Sequence, residues 1–282
     1  EGSMSAVTLS RPPSVATRAL LSFFDSLVVA RRNLMQIVRI PAVLVFELVQ
    51  PVMFVLLFRF VFAGNIANVP PEIVALGGYV VFLMPGIIVQ NAIFGATTTA
   101  IGIAEDLKSG LVDRFRSLPM ARSAMLAGRA TSDLMKNFIL LLVVIGIGYL
   151  VGFSFKNGIL GAIAMIVLVM AVSFTFSWVM AAIALAVKKL EAVQAAAFTG
   201  IFPLVFMSSA LVPIAGMAGW VQVIARNNPI SHWANLARYF AVGEYSQMGG
   251  TPEQLILWSA LWIVGLLAIF MPLSIRLYSK LT

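Results

Sequence analysis

Cysteine is absent from the 282 residues, histidine occurs once (His232), and charged side chains make up only 11% of the chain. Without cysteine there is no disulfide framework and no thiolate metal site, and a single histidine cannot build a histidine-rich one. No metal ligands are expected. A soluble domain carries roughly 25% charged residues, so the shortage of charge excludes an ordinary soluble globule. The phosphate-cradling loop GxxxxGK[ST] needs a Gly-Lys pair, and that dipeptide occurs nowhere. The chain is therefore expected to bind no nucleotide cofactor itself. The motifs H-E-x-x-H, C-x-x-C and G-x-S-x-G are missing as well. Ser231 beside His232 makes no nucleophile–base pair by adjacency alone, so no catalytic residues are expected. The apolar runs lack period-2 alternation, which disfavours a β-barrel.

What is present is apolar: 61% hydrophobic residues and a mean hydropathy of +0.99. Six stretches are long enough to cross a hydrocarbon core, which takes about 20 helical residues. They run over about 40–63, 74–104, 134–153, 159–187, 192–212 and 255–277. The expected fold is an all-α polytopic membrane protein with six transmembrane helices. The formal charge of +8 and pI near 10.2 do not point to nucleic acid, because the basic residues flank the apolar runs. Fifteen of the nineteen fall on one side: five before residue 40, six in 105–136, Lys188, Lys189, Arg276 and Lys280. Arg59, Lys156, Arg226 and Arg238 fall on the other. The positive-inside bias then places both termini in the cytoplasm.

The flanking segments have their own patterns. Glu1-Gly2-Ser3 ahead of Met4 looks like an expression scar, and 1–14 reads as a flexible N-terminus with no cleavable signal peptide evident. Over 15–39, polar residues from Arg18 to Gln36 share one helical face, and Leu20, Phe23, Phe24, Leu27, Leu34 and Val38 fall largely on the other. That is an amphipathic helix in the cytoplasmic interface. The connection 213–252 is too long to be structureless. Its spacing Trp220, Val223, Ile224 and Trp233, Leu236, Phe240 predicts two short outer helices, dipping in or lying flat.

Polar groups inside the spans are few. Glu47 and Gln50 lie in the first, Gln90 and Asn91 in the second, Ser173, Thr175 and Ser177 in the fourth. An intramembrane carboxylate is a functional candidate by default, so Glu47 either faces a pathway or pairs with a neighbouring helix. The Ser/Thr set reads as helix-packing hydrogen bonds. Gly148-x-x-x-Gly152 is a weak helix-contact signal.

The segment 105–136 holds ten of the thirty charged residues. Within it Leu107, Leu111, Val112, Phe115 and Leu118 recur at helical spacing, while Lys108, Asp113, Arg114 and Arg116 project elsewhere. Pro119 stops this helix, and Ser123 can cap a second one leading into the third span. An anionic leaflet would favour a purely basic polar face. Mixed charges around an apolar stripe suit a groove on another protein.

The run EDLKSGLVDRFRSLPMARSAMLAGR resembles the segment after the second span of ABC-2-type transporter permeases, in the subgroup that includes daunorubicin-resistance exporters. VQPVMFVLLFRFVF (49–62) resembles that family's first span. Residues 202–238, with Asn228, Pro229 and the later Arg238, resemble its fifth span and outer re-entrant region (213–252). Ser208-Ser209 departs from a common Ser-Gly pair. The resemblance implies a coupling helix at 105–120, with Glu105, Asp106, Leu107, Leu111, Arg114, Phe115, Arg116, Leu118 and Pro119 docking to a separate cytoplasmic ABC ATPase. It also implies a 15–39 connecting helix and a 40–282 transmembrane domain. Two permease chains, identical or homologous, would join two ATPases that hold ATP and Mg. A hydrophobic or amphiphilic substrate would leave outward across the cytoplasmic membrane, among membrane lipids, past path candidates Glu47, Gln50, Gln90, Asn91, Phe202 and Ser208. The chain itself would be non-catalytic.

Two other classes stay open on the residues alone: a self-sufficient secondary carrier using Glu47, and a membrane-embedded enzyme or structural subunit. Under the docking reading, Phe115→Asp or Arg114→Glu should abolish co-purification of an ATPase and its stimulation by this chain. Undiminished binding and stimulation would contradict the docking helix.

Overall fold

The computed structural model describes residues 41–62, 78–109, 122–243 and 251–280. The expected 15–39 helix, and Leu111, Arg114, Phe115, Arg116, Leu118 and Pro119, lie outside the described residues. All regular structure among the described residues is helical. This is the outcome bilayer solvation demands, since a helix satisfies its own backbone polar groups.

Helix α1 (Pro41–Leu56) contains Pro51 and continues as a π-helical turn, Leu57–Phe62. Helix α2 (Tyr79–Gly95) passes through Ala96 into α3 (Thr97–Lys108). Helices α4 (Arg122–Leu150) and α5 (Gly158–Val187) follow, then the shorter α6 (Leu190–Phe206). After a 3₁₀ turn at Ile214–Gly216 come α7 (Gly219–Asn227), α8 (Pro229–Val242) and α9 (Pro252–Lys280).

Among the described residues four segments are long and apolar enough to cross a membrane: Tyr79–Lys108, Gly128–Leu150, Gly158–Val187 and Pro252–Lys280. The other two expected spans are shorter apolar helices, Val45–Leu56 and Leu190–Phe206. At about 1.5 Å per residue, the 17 residues of α6 fall short of a core about 30 Å thick. The expected stretch 192–212 includes 207–212, where the chain has already left the helix.

Tyr79–Lys108 is the centre of the bundle, its most apolar window 89% buried, whereas that of α9 is only 11% buried. Helix α5 is the hub: it packs against α2, α3, α4, α6, α8 and α9. Ser274 Oγ of α9 donates to Trp178 O of α5 (3.1 Å) and Trp233 Nε1 of α8 to Ser259 O of α9 (3.2 Å). The Ser/Thr set of α5 makes the expected packing bonds at Ser173 and Ser177, which accept from Asn137 and Thr99, whereas Thr175 turns back on its own helix. Thr175 Oγ1 reaches Ala171 O, Ser177 Oγ reaches Ser173 O, and Ser173 Oγ accepts from Asn137.

The two glycines of Gly148-x-x-x-Gly152 separate in role. Gly148 packs against Met84, where an added Cβ would meet Cε at 2.5 Å. Gly152 has φ +101° and closes α4: its N–H bonds Tyr149 O (3.2 Å), and Phe153 N–H bonds Gly148 O (2.9 Å). That double bond pattern is the Schellman motif, which needs a left-handed residue. It also explains why the third span stops short of the expected Phe153.

The expected pair of helices in 213–252 is present as α7 and α8. Helix α7 leaves Trp220, Val223 and Ile224 exposed, while α8 buries Trp233, Leu236 and Ala237. Asn228 caps α8 by accepting from Ile230 N–H (2.9 Å), with Pro229 at the first helical position, where its missing donor costs nothing. The same Asn228 amide donates to Leu204 O (2.6 Å) and Met207 O (3.1 Å) at the end of α6. At the far end of α8, Ala241 O accepts from Lys156 and Asn157 N–H.

Arg238, counted above as an outer-loop charge, is 1% exposed. Its guanidinium donates to Phe82 O (2.8 Å), Ser209 O (2.6 Å), Ala210 O (2.8 Å) and Asn235 Oδ1 (3.2 Å), and lies 3.8 Å from the Phe82 ring centroid. Gly86 lets this happen. A Cβ there would collide with the Ala210 carbonyl and come within 3.0 Å of Arg238 Nη2. Because the obstacle is backbone, Gly86→Ala should destabilise the protein by about 1–3 kcal/mol, read as a lower thermal midpoint in detergent. Gly146→Ala, where an added Cβ meets nothing within 4 Å, should be neutral or mildly stabilising in the same assay.

Candidate functional site

One face of α4 carries long polar side chains at helical spacing, and the α2–α3 helix meets them with small residues. Arg129 lies over Gly102, whose missing side chain leaves room for the guanidinium, and bonds Asp106 Oδ2 at 3.1 Å. One turn on, buried Asp133 accepts from Thr99 Oγ1. Next, Lys136 Nζ donates to Thr98 Oγ1 (2.7 Å) and Glu47 Oε1 (2.9 Å). Asn137 lies over Gly95 and donates to Ser173 Oγ (2.7 Å). These bonds tie α1, α3, α4 and α5 together in a ladder of polar contacts.

The ladder borders a cleft of about 390 Å³ lined by residues of α1, α2, α3, α4 and α6. Its polar side is Glu47, Gln50, Asn91, Thr97 and Thr98; its apolar side is Phe46, Phe94, Leu140 and Phe198. A narrow neighbouring space shares Gln50, Asn91 and Phe94 and adds Gln90. Phe202 stacks edge-on to Phe94 with centroids 5.6 Å apart, and Phe198, Phe202 and Phe206 continue the aromatic row up α6.

Four of the six expected path residues, Glu47, Gln50, Gln90 and Asn91, therefore converge on one place, with Phe202 beside them. Ser208 does not join them. It sits buried in the turn after α6, donating to Val205 O (2.6 Å) and accepting from Ala210 N–H (3.2 Å). A hydroxyl one residue past the last turn serves the helix end because carbonyls there lack partners. Asn228, Pro229 and Arg238 also lie apart from the cleft, at the junction of α6, α8 and α2. Glu47 pairs with Lys136 of α4, as one of its two readings expected, and it also lines the cleft.

Within the expected 105–120 helix, the described residues are the last turn of α3. Glu105 is exposed, Asp106 holds Arg129, Leu107 packs on the core, and Ser109 closes the helix by bonding Glu105 O. Residues 105–108 thus belong to the end of the preceding helix and do not begin a new one. Sequence reasoning missed Lys136, Asp133 and Thr98, because it assigned the first two to the charged cytoplasmic segment. The available signal was their spacing: 129, 133, 136 and 137 repeat at three and four residues, leading directly into an apolar run. Among the described residues no group of three or more potential metal ligands occurs.

Comparison with known proteins gives concordant matches. The family described as ABC-2 type transporter matches residues 26–241. The daunorubicin resistance ABC transporter permease protein of Streptomyces coeruleorubidus is 31% identical over 88% of this chain and 83% of its own length. A probable doxorubicin resistance ABC transporter permease protein of Mycobacterium tuberculosis is 27% identical over 83% of each chain. A putative transport permease of Cyanophora paradoxa is 27% identical over 82% of this chain and 80% of its own.

Lys136 is 3% exposed and the Glu47 side chain 20%, and removing one partner of a buried pair leaves a charge uncompensated. Lys136→Met should cost about 3 kcal/mol or more. Combining it with Glu47→Gln should recover at least about 1 kcal/mol of that loss. Thermal unfolding of the single and double variants in detergent measures both. Additive losses would show that the pair is not coupled.

Proposed function

The chain belongs to the ABC-2 type transporter family, and on that footing we propose that it is the permease subunit of an exporter driven by ATP hydrolysis on a separate ATPase. It is a multi-pass cell-membrane protein and an ABC transporter permease. The finer reading has six spans, with α1 and α6 completing the four longer ones, and both termini cytoplasmic. Two permease chains and two ATPases would form the working unit, with ATP and Mg held by the partner. Charged residues 105–120 would dock to that partner, and α7–α8 would form the outer end.

The observation that carries this reading is the cleft. A transport subunit needs a place inside its apolar bundle where a solute can meet polar and apolar groups together, and the space between Glu47, Asn91, Phe94 and Phe198 supplies one. Its mixed lining favours hydrophobic or amphiphilic substrates. The drug-resistance names of two relatives are consistent with that class. The 282 residues contain no Gly-Lys pair, so they hold no phosphate loop of that kind, which is consistent with an ATPase partner. A self-contained carrier would require Glu47 to leave the bond that holds it to Lys136 of α4.

Inside-out vesicles containing this chain and its ATPase should accumulate a fluorescent amphiphile only with hydrolysable ATP, and lose that activity when the lysine of the ATPase phosphate loop is replaced. Accumulation driven by an imposed pH gradient without nucleotide would overturn the reading in favour of a carrier.

A further inference from the structure

The segment Tyr79–Lys108 is two helices, and the place where it breaks forms part of the cleft wall. At Ala96, between α2 and α3, backbone bonds step three residues where an α-helix steps four. Ala96 N–H reaches Ile93 O (3.2 Å) and Thr99 N–H reaches Ala96 O (3.1 Å). Such a tighter turn inside a long helix is a recurrent hinge position. The next two residues turn their hydroxyls back on the chain, Thr97 Oγ1 to Phe94 O and Thr98 Oγ1 to Gly95 O, both at 2.7 Å. Back-bonding of this kind bends helices and gives carbonyls at the bend a partner in an apolar setting. Phe94, Gly95, Thr97 and Thr98 all line the cleft.

The two arms are held differently. Above the break, α2 packs on α1, α4, α5 and α8, and its contact with α4 includes Met84 seated against Gly148. Below it, α3 packs on α5 and α6 and meets α4 sparsely. Its bonds to α4 run between side chains: Thr98 to Lys136, Thr99 to Asp133 and Asp106 to Arg129. Opening close apolar packing forfeits many dispersion contacts together, whereas a side-chain hydrogen bond beside an open cleft exchanges for water at a small net difference. The polar contacts are also incompletely matched. Glu47 Oε2, on the carboxylate that Lys136 holds, and Arg129 Nε are buried without a hydrogen-bond partner among the described residues. Orphans of this kind raise the free energy of the conformation that holds them.

We propose that the Ala96 junction is a hinge latched by the Lys136–Thr98 bond, at which α3 swings away from α4 while α2 stays in place, widening the cleft. With 12 residues, α3 is about 18 Å long, so a bend of about 20° carries its far end about 6 Å. That end, Lys108, leads into the charged segment read as the docking surface, so in the exporter one hinge links that surface to the cleft. The link rests on the exporter reading; the hinge does not.

The chain has no cysteine, so Lys108→Cys with Arg276→Cys gives a background-free pair of spin labels, one at the end of α3 and one on α9. The test uses the full chain in lipid nanodiscs without ATPase. Thr98→Val keeps the side chain's shape and leaves Lys136 bonded to Glu47. It should add a second label distance differing from the first by about 6 Å. Amide exchange at residues 95–99 should rise about tenfold, the loss of one bond to a charged donor, while residues 80–92 keep their original rates. Thr98→Ser retains the hydroxyl and should match the unsubstituted chain in both measurements. Unchanged distance and exchange in Thr98→Val, acceleration spread over all of Tyr79–Lys108, or a Thr98→Ser chain that behaves like Thr98→Val would refute the hinge. In inside-out vesicles with ATPase, ATP-driven accumulation should fall in Thr98→Val and recover in Thr98→Ser. If both structural responses appear but accumulation ignores ATP, the exporter reading falls and the hinge stands. If accumulation requires ATP and neither response appears, only the hinge falls.

Discussion

A helical membrane protein can break its helices only where something else bonds the freed carbonyl groups, and here the break after α6 sets the terms for one end of the fold. After Phe206 the chain leaves the helix and runs buried from Ser208 to Leu211, and three side chains answer it. Asn228 takes Leu204 O and Met207 O, Arg238 takes Ser209 O and Ala210 O, and the Tyr79 hydroxyl takes Leu211 O. Two of the three come from α8 or its cap and one from the start of α2, so satisfying this turn also fixes where α8 lies. Gly86 then follows as a necessity, because the Ala210 carbonyl occupies the space of its side chain. The Arg238 charge is accommodated by carbonyl dipoles and the Phe82 face.

The other end is held by a different device. Helix α4 presents Arg129, Asp133, Lys136 and Asn137 to a stripe of Gly95, Thr98, Thr99 and Gly102. Small residues let the backbones approach, and the polar heads bond across the gap. The bilayer gives helices little hydrophobic reason to prefer one neighbour, so such contacts decide which helices meet. The cleft grows out of the same device: Lys136 bonds Glu47 of α1 to α4, and Glu47 and Thr98 line the space beside that pair. Its polar floor is part of the scaffold and its aromatic wall comes from α1, α2 and α6.

Much of the plan was legible in the residue order. Long apolar runs without alternation required helices, and α5 was placed to within a residue of its ends because it is uniformly apolar between Asn157 and the Lys188-Lys189 pair. The two short helices after α6 were readable from the spacing of Trp220, Val223, Ile224 and of Trp233, Leu236, Phe240. Legibility failed where one pattern had two physical causes. Gly148 and Gly152 share a spacing, but one makes room for Met84 and the other supplies a left-handed cap. Lys136 and Asp133 look like the end of a charged loop, because a sequence does not tell that their partners, Thr98, Thr99 and Glu47, lie 34 to 89 positions away.

By itself the sequence determined the solvent of this protein, its helical class, the scarcity of chemistry it could perform, and its resemblance to ABC-2 permeases. All of these follow from composition, local periodicity and residue order. Only the tertiary structure decided which of the few polar groups stand together. It brought Glu47, Gln50, Gln90 and Asn91 to one cleft, sent Ser208 to a helix end, and buried Arg238 where a surface charge was expected. The reason is that pairing a polar group inside an apolar bundle is a contest between partners distant in the chain, and that contest is settled by which helices can approach closely enough to bond.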